Sequence, residues 1–208
     1  IDENGKYVLI GPSQTKINST IYPGDVRYAD LDGDGEITKG DETVENPGDR
    51  KIIGNSTPRF QYGITGNISW KNFDLNIFFQ GIGKRDIWIS DNVFWGGSGN
   101  AGNWEMYNNS WTPEHTDAKY PMYAGRISGT TQSGYLFNAA YLRLKTLALG
   151  YTLPKTWVSK AKLSNVRLSL SGYNLFEITQ IPNLYDPDQI SSAYPMMRSV
   201  AFGLQVGF

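Results

Sequence analysis

Cysteine is absent from this 208-residue chain, and histidine occurs once. The first absence removes disulfides, zinc thiolates and cysteine nucleophiles together. The second leaves His115 as the sole imidazole on which a triad or zinc centre could be built. Charge of one sign is also lacking. With 19 basic and 20 acidic residues, no field draws in a polyanion, and nucleic acid is not an expected partner. No apolar run approaches the length of a membrane helix, and no signal peptide opens the chain. It begins "IDENGKY" without Met, which is expected of a processed product or a piece of something longer. What the chain does have is 13 Tyr, 9 Phe, 6 Trp and 23 Gly against only 19% charged residues. Aromatics suit strands and glycine suits turns, so the composition leans to β structure with long decorated loops.

The stretch up to about Asn55 is turn-rich, with Lys6 to Ile10 as a candidate short strand. From Phe60 a period of two sets in. In "FQYGITGNISW" Phe60, Tyr62, Ile64, Ile68 and Trp70 share one face, and Gln61, Gly63, Thr65, Asn67 and Ser69 the other. Lys71-Asn72 makes a tight turn, and "FDLNIFF" resumes the alternation, so the pair predicts a hairpin. Lys84 to Gly134 has no clear period and is rich in Gly, Asn, Trp and Tyr. A span that long in a compact domain is expected to be a functional loop. Phe137 to Thr152 reads as strand with broken parity: Leu142 and Leu144 share one face, whereas Leu147, Leu149 and Tyr151 share the other. A bulge near Lys145-Thr146 would reconcile them. "LPKTWVSKAK" predicts one or two helical turns, with Pro154 near the start. Further strands follow at "LSNVRLSLSGYNLF" and, after a Pro/Asp loop, at "SVAFGLQVGF".

Each long run has a bulky apolar face and a small or polar one. In a soluble sandwich the bulky face points into a core; in an outer-membrane barrel it points into lipid. Eleven residues from Phe60 to Trp70 match the roughly 9–11 needed to cross a bilayer at a tilt, whereas ordinary strands cluster near about 5–6.

In order along the chain, "PGDVRYADLDGDGEIT", "DRKIIGNSTPRFQYGITGNISWKNFDLNIFFQG", "SWTPEHTDAKYP", "YLRLKTLALGYTLPKTW", "VRLSLSGYNLFEIT" and a final strand ending in Phe resemble the C-terminal portion of a SusC/RagA-type TonB-dependent outer-membrane transporter. The likeness runs from about Pro23 to Phe208. It implies an all-β fold: an antiparallel transmembrane β-barrel segment of about 5–6 strands, in a barrel of roughly 22, with long extracellular loops. Residues 1–59 become an extracellular loop region, and 60–208 barrel strands with a long extracellular loop at about 84–134. It also implies import of oligosaccharides or peptides across the bacterial outer membrane. The implied partners are the rest of the barrel and its plug, a SusD-like surface lipoprotein, the TonB complex and membrane lipid. Phe208 resembles the aromatic signal read by the barrel-insertion machinery; it also suits an interfacial aromatic girdle.

"DLDGDGEITKGD" fits a twelve-position calcium loop, with Asp30, Asp32 and Asp34 at positions 1, 3 and 5 and Gly35 at the sharp turn. Glu36 supplies a carbonyl at 7, Ile37 stands at 8 and Asp41 at 12. Calcium takes six to eight oxygens from a bent backbone, which that spacing provides. The plainer reading is an acidic turn in which Asp and Gly serve turn geometry only. The insert carries Trp88, Trp95, Trp104, Trp111, Tyr107, Tyr120 and Tyr123, which either stack on ligand or pack the loop against itself. Trp95 and Trp104 are the first candidates for substrate contact. "GSGNAG" (97–102) fits GxGxxG but has no strand before it or helix after it, so a dinucleotide site is rejected. His115 sits in a loop beside Glu114, and no acid pair forms a convincing cleft. The chain is not read as an enzyme, and no organic cofactor is expected. The alternative to the importer is a soluble, calcium-stabilised β-sandwich adhesin or carbohydrate-binding module. The two differ in what the bulky strand faces touch.

Overall fold

The computed structural model describes residues 3–5, 7, 8, 10–90, 92–95, 104–122, 130–190, 194 and 196–208. Two compact units form, one from residues 1–54 with 88–136, the other from 55–87 with 137–208. The first segment and the long insert therefore make one unit, although residues 55–87, most of them strand, separate them in sequence.

In the second unit, β1 (Arg59–Trp70), β2 (Phe73–Lys84), β5 (Tyr141–Thr152), β6 (Asn165–Thr179) and β7 (Ser199–Gly207) form one antiparallel sheet in the order β1-β2-β5-β6-β7. Two three-residue strands, β3 (Asp86–Trp88) and β4 (Leu136–Asn138), make a separate ribbon. Residues 139 and 140 thus interrupt the strand expected to run from Phe137 to Thr152. Lys71 and Asn72 join β1 to β2, with Trp70 paired to Phe73. Lys71 adopts φ +53°, and Asn72 donates from its side chain to the Thr152 carbonyl at 2.7 Å, tying the turn to the end of β5. After β5, Pro154 starts α3 (Lys155–Val158), and a 3-10 turn at Ser159–Ala161 ends at Lys162 in the left-handed region.

Register carries the alternation across the whole sheet. Ile68, Leu75, Leu149, Leu170 and Phe202 pair in one row from edge to edge, and Asn67, Asn76, Ala148, Ser171 and Ala201 in the next. A one-residue slip would mix the faces, so the pattern fixes the register. The expected break in β5 is present: pairing passes from Leu144 to Thr146 and skips Lys145. That extra residue lets Leu144 and Leu147 both pair within apolar rows, opposite Phe79 and Ile77.

The apolar rows are not covered. Ile64 is 59% and Phe202 71% exposed, and Ile68, Trp70, Leu170 and Leu204 are exposed too. Among the described residues no second sheet lies over them, so the sandwich arrangement, which needs one, is not seen. No helix among the described residues is long and apolar enough to cross a membrane, which says nothing about crossing by strands.

The first unit has little regular structure beyond the short helices α1 (Asn92–Trp95) and α2 (Trp104–Asn108). Residues 7, 8 and 10 are not in a strand. Its core is aromatic: Phe94, Trp95 and Tyr120 meet edge to face at 5.0–6.3 Å between centroids. Such tilted contacts match the ring quadrupoles. Trp95 also meets Tyr135 at 5.1 Å and donates its indole N–H to the Ile89 carbonyl at 2.5 Å.

Candidate functional site

On the polar side of the sheet, Arg143 of β5 is 1% exposed and holds the Pro/Asp loop that follows β6. Its guanidinium donates to Asp186 at 2.8 Å and to Asp188 at 3.0 Å, with Glu177 of β6 at 3.8 Å. Lys145, the bulged residue, reaches Asp188 at 2.8 Å, and the Tyr141 hydroxyl donates to the same carboxylate. The bulge therefore adds a second cation to this network while Leu147 keeps its apolar row. Asp186 also accepts from the backbone N–H groups of Met196 and Asp188 at 2.9 and 2.8 Å. Burial pushes the Asp186 carboxyl up, but the Arg143 guanidinium and those N–H groups outweigh it and hold its pKa below the usual carboxylate range. A buried arginine needs such partners on every side, because an unpaired buried charge is costly.

A second pair crosses a whole strand. Arg167 of β6 makes two hydrogen bonds of 2.6 Å to the Asp74 carboxylate of β2. Gly150 of β5 lies between them, and a Cβ there would collide with both groups. Glycine is required here for close approach. This bidentate bridge holds three strands together on the polar face.

The acidic loop folds around its own backbone. Asp30 accepts from the N–H groups of Gly33 and Gly35 at 2.6 and 2.9 Å, Asp32 from Asp34, and Asp34 from Glu36. Gly35 bends the chain at φ +87°. The carboxylates that come within 4.8 Å of one another are those of Asp30, Asp32 and Asp49. Asp49, which the twelve-residue spacing did not single out, is returned to the loop by hydrogen bonds with Thr38 (Thr38 N–H to its carboxylate, 2.7 Å) and with the Leu31 N–H at 2.5 Å. Asp41 is occupied elsewhere, accepting from the Thr43 hydroxyl at 2.7 Å. That bond holds its carboxyl below the usual range. The Glu36 side chain pairs with Lys16 instead of turning to the cluster.

The predicted aromatics separate by burial. Trp95 is 4% exposed and belongs to the core just described, whereas Trp104 is 73% exposed and stacks on Tyr107 at 5.5 Å and 21°. Tyr120 is buried; Tyr123 and the GxGxxG stretch lie outside the described residues. In the same unit, partial burial pushes the Tyr135 hydroxyl up to about 12, with Tyr28 adding to the shift. His115 has Asp117 at 3.6 Å and sits partly exposed. Phe208 follows β7 and is exposed.

A strand-rich chain with one largely bare apolar face and one ion-paired face is an all-β protein. No protein-family model matches it. It is 36% identical over 201 residues to TonB-dependent receptor P3 of Formosa agariphila, a match covering 89% of this chain and 19% of that protein. TonB-dependent receptor P26 of the same organism is 26% identical over 208 residues, covering 89% of this chain and 20% of its own length. The fold matches the RagAB peptide importer in its closed-closed state with a TM-score of 0.59 at 25% identity, covering 86% of this chain and 20% of the matched one. The chain spans about a fifth of the length of these relatives. Sequence and fold together place it with the TonB-dependent receptors of the SusC/RagA type.

Proposed function

We propose that the chain is the C-terminal wall and loop portion of an outer-membrane importer of oligosaccharides or peptides. In this reading it works with a plug, a TonB complex and a SusD-like surface lipoprotein. The observation that carries it is the five-strand apolar face, exposed from Ile68 to Phe202 in continuous register. Water disfavours such a face and hydrocarbon does not. The edges β1 and β7 carry unpaired backbone groups, which a bilayer does not tolerate, so further strands of the same barrel complete them. The polar face then turns to the lumen, which keeps the Asp74–Arg167 and Arg143 ion pairs away from lipid. Phe208, exposed at the last strand's end, is available to the insertion machinery.

Cysteine is absent from these residues, so single cysteines report the faces directly. In the whole receptor, with any cysteines elsewhere replaced, Asn76→Cys and Ser169→Cys are expected to react with a water-soluble maleimide. Ile77→Cys and Leu170→Cys should be shielded by lipid. Equal labelling of both pairs refutes the reading.

The acidic loop is assigned a structural calcium ion. Asp30, Asp32 and Asp49 would supply carboxylate oxygens, with Asp34 and Glu36 at the loop's remaining positions; hard oxygen donors around a bent backbone suit this cation. Bound, it would neutralise like charges and brace the surface turn. Equilibrium dialysis against calcium should show one ion lost in Asp30→Asn; no uptake at millimolar calcium rejects the site.

A further inference from the structure

The two ends of the five-stranded sheet handle charge differently. Where β1 starts and β6 finishes, cations sit with acids: Arg59 with Asp86 at 3.8 Å, Arg198 with Glu177 at 3.1 Å, and Arg143 and Lys145 with Asp186 and Asp188. The other end consists of the Lys71-Asn72 turn, the connection from β5 to β6 and the finish of β7. Residues 66–76, 147–172 and 199–207 hold one acidic side chain, Asp74, and Arg167 already occupies it. The connection "LPKTWVSKAKLS" (153–164) has three lysines and no acid. Lys155, Lys160 and Lys162 are exposed, and none of them has an ion-pair partner among the described residues.

These lysines stand on a braced turn. The Leu153 N–H donates to the Val166 carbonyl and the Ser164 N–H to the Gly207 carbonyl, both at 2.9 Å, and Val158 is buried between them in sequence. Trp157, next to Val158, stays exposed. The apolar face reaches this end as an aromatic row. Trp70 pairs with Phe73 and Phe73 with Tyr151, whose rings lie 4.4 Å apart, and the Lys71 ammonium sits over the Trp70 ring at 4.6 Å.

We propose that this turn seats anionic phospholipid, with Lys155, Lys160 and Lys162 holding headgroups of the phosphatidylglycerol class and Trp157 lying at headgroup depth beside them. The inference rests on the importer reading, which sets hydrocarbon against the apolar face. At the border of that hydrocarbon a lysine stem follows apolar surface while its ammonium reaches outward, and indole rings favour the same depth. A zwitterionic headgroup carries its own ammonium; an anionic one leaves a charge for the unpaired lysines to neutralise. An acidic protein would also match the lysines, but it gives no reason for them to follow directly on the aromatic edge of the apolar face.

The test uses the full-length receptor, with any cysteines elsewhere replaced and a donor dye on Thr156→Cys, in phosphatidylethanolamine liposomes. A small and equal share of acceptor-labelled lipid is either phosphatidylglycerol or phosphatidylethanolamine, tagged on the acyl chain. At low salt, phosphatidylglycerol should be enriched about tenfold beside the dye. Changing Lys155, Lys160 and Lys162 together to Gln should remove most of that enrichment, changing them together to Arg should keep it, and Trp157→Ala should lower it in part. All four side chains are exposed, so these changes leave the sheet intact, and the comparison of the two lipids in the receptor with its lysines unchanged needs none of them. Equal transfer from the two lipids overturns the inference, and so does an enrichment that survives the glutamine changes. The importer reading is judged apart, by the maleimide pattern: shielded Ile77→Cys with equal lipid transfer would keep that reading and reject this site.

Discussion

The two units of this chain treat apolar side chains in opposite ways. In the sheet, regular strands leave Ile64, Trp70, Leu170 and Phe202 exposed, while their most buried side chain is a charged one, Arg143. In the loop unit, two short helices and the loops around them bury Phe94, Trp95, Met106 and Tyr120 as an ordinary protein core. On the importer reading, the two halves of one chain answer to two surroundings. Strand pairing runs from edge to edge of the sheet apart from the bulge at Lys145, so the strands are held together without a dry interior of their own and can offer their bulky face outward. The loop unit lacks that ladder, and aromatic packing has to hold it together.

Breaking each half at its own buried anchor should give the largest effects. Arg143→Met leaves Asp186 without its cation, although Glu177 keeps Arg198 and Asp188 keeps Lys145, and losing one partner of a buried network costs about 3–5 kcal/mol. Faster proteolysis within 180–198, with the five-stranded sheet still assembled, is the expected readout. In the loop unit the matching change is Trp95→Ala, at about 3–5 kcal/mol for a large core ring. The exposed Trp104→Ala should stay within about 0.5 kcal/mol; thermal unfolding of the receptor separates them, and equal effects would contradict the burial contrast.

A charge on the sheet's apolar face sharpens the comparison further. Ile77→Arg should destabilise the folded receptor by about 2–4 kcal/mol if it meets the bilayer middle. Asn76→Arg, one residue along on the opposite face, should change urea unfolding in liposomes far less. A smaller effect comes with acid. Because the Asp186 pKa is lowered by folding, its contribution is complete above the ordinary carboxylate value of about 3.9 and is lost as pH falls through the lower folded value. Protection of the 180–198 loop should therefore hold from neutrality to about pH 4 and fall below it. Asp186→Asn should weaken protection near neutrality and remove that acid step.

Much of the sheet was legible in order along the chain. The Lys71-Asn72 hairpin, the bulge at Lys145 and the helical turn after Pro154 all follow from parity and turn chemistry read over a dozen residues. The site was less so. The calcium spacing pointed to Asp41, yet Thr43 occupies that carboxylate and Asp49 comes to Asp30 and Asp32 from a fold of the intervening loop. Trp95 and Trp104 look alike in a Gly- and Asn-rich insert, because burial in irregular structure leaves no period to read. Nor did any pattern mark "YDPDQ" as the partner of Arg143, which lies some forty residues earlier.

By itself, then, the sequence determined which side chains share a strand face and where the chain must turn, since both depend on neighbours two to four positions away. Tertiary structure alone decided that Asp49 joins the acidic loop, that Gly150 makes room for the Asp74–Arg167 bridge, and that Arg143 captures Asp186 and Asp188. Those contacts join residues distant in the chain, and they form only when register and loop closure bring opposite charges within hydrogen-bonding reach.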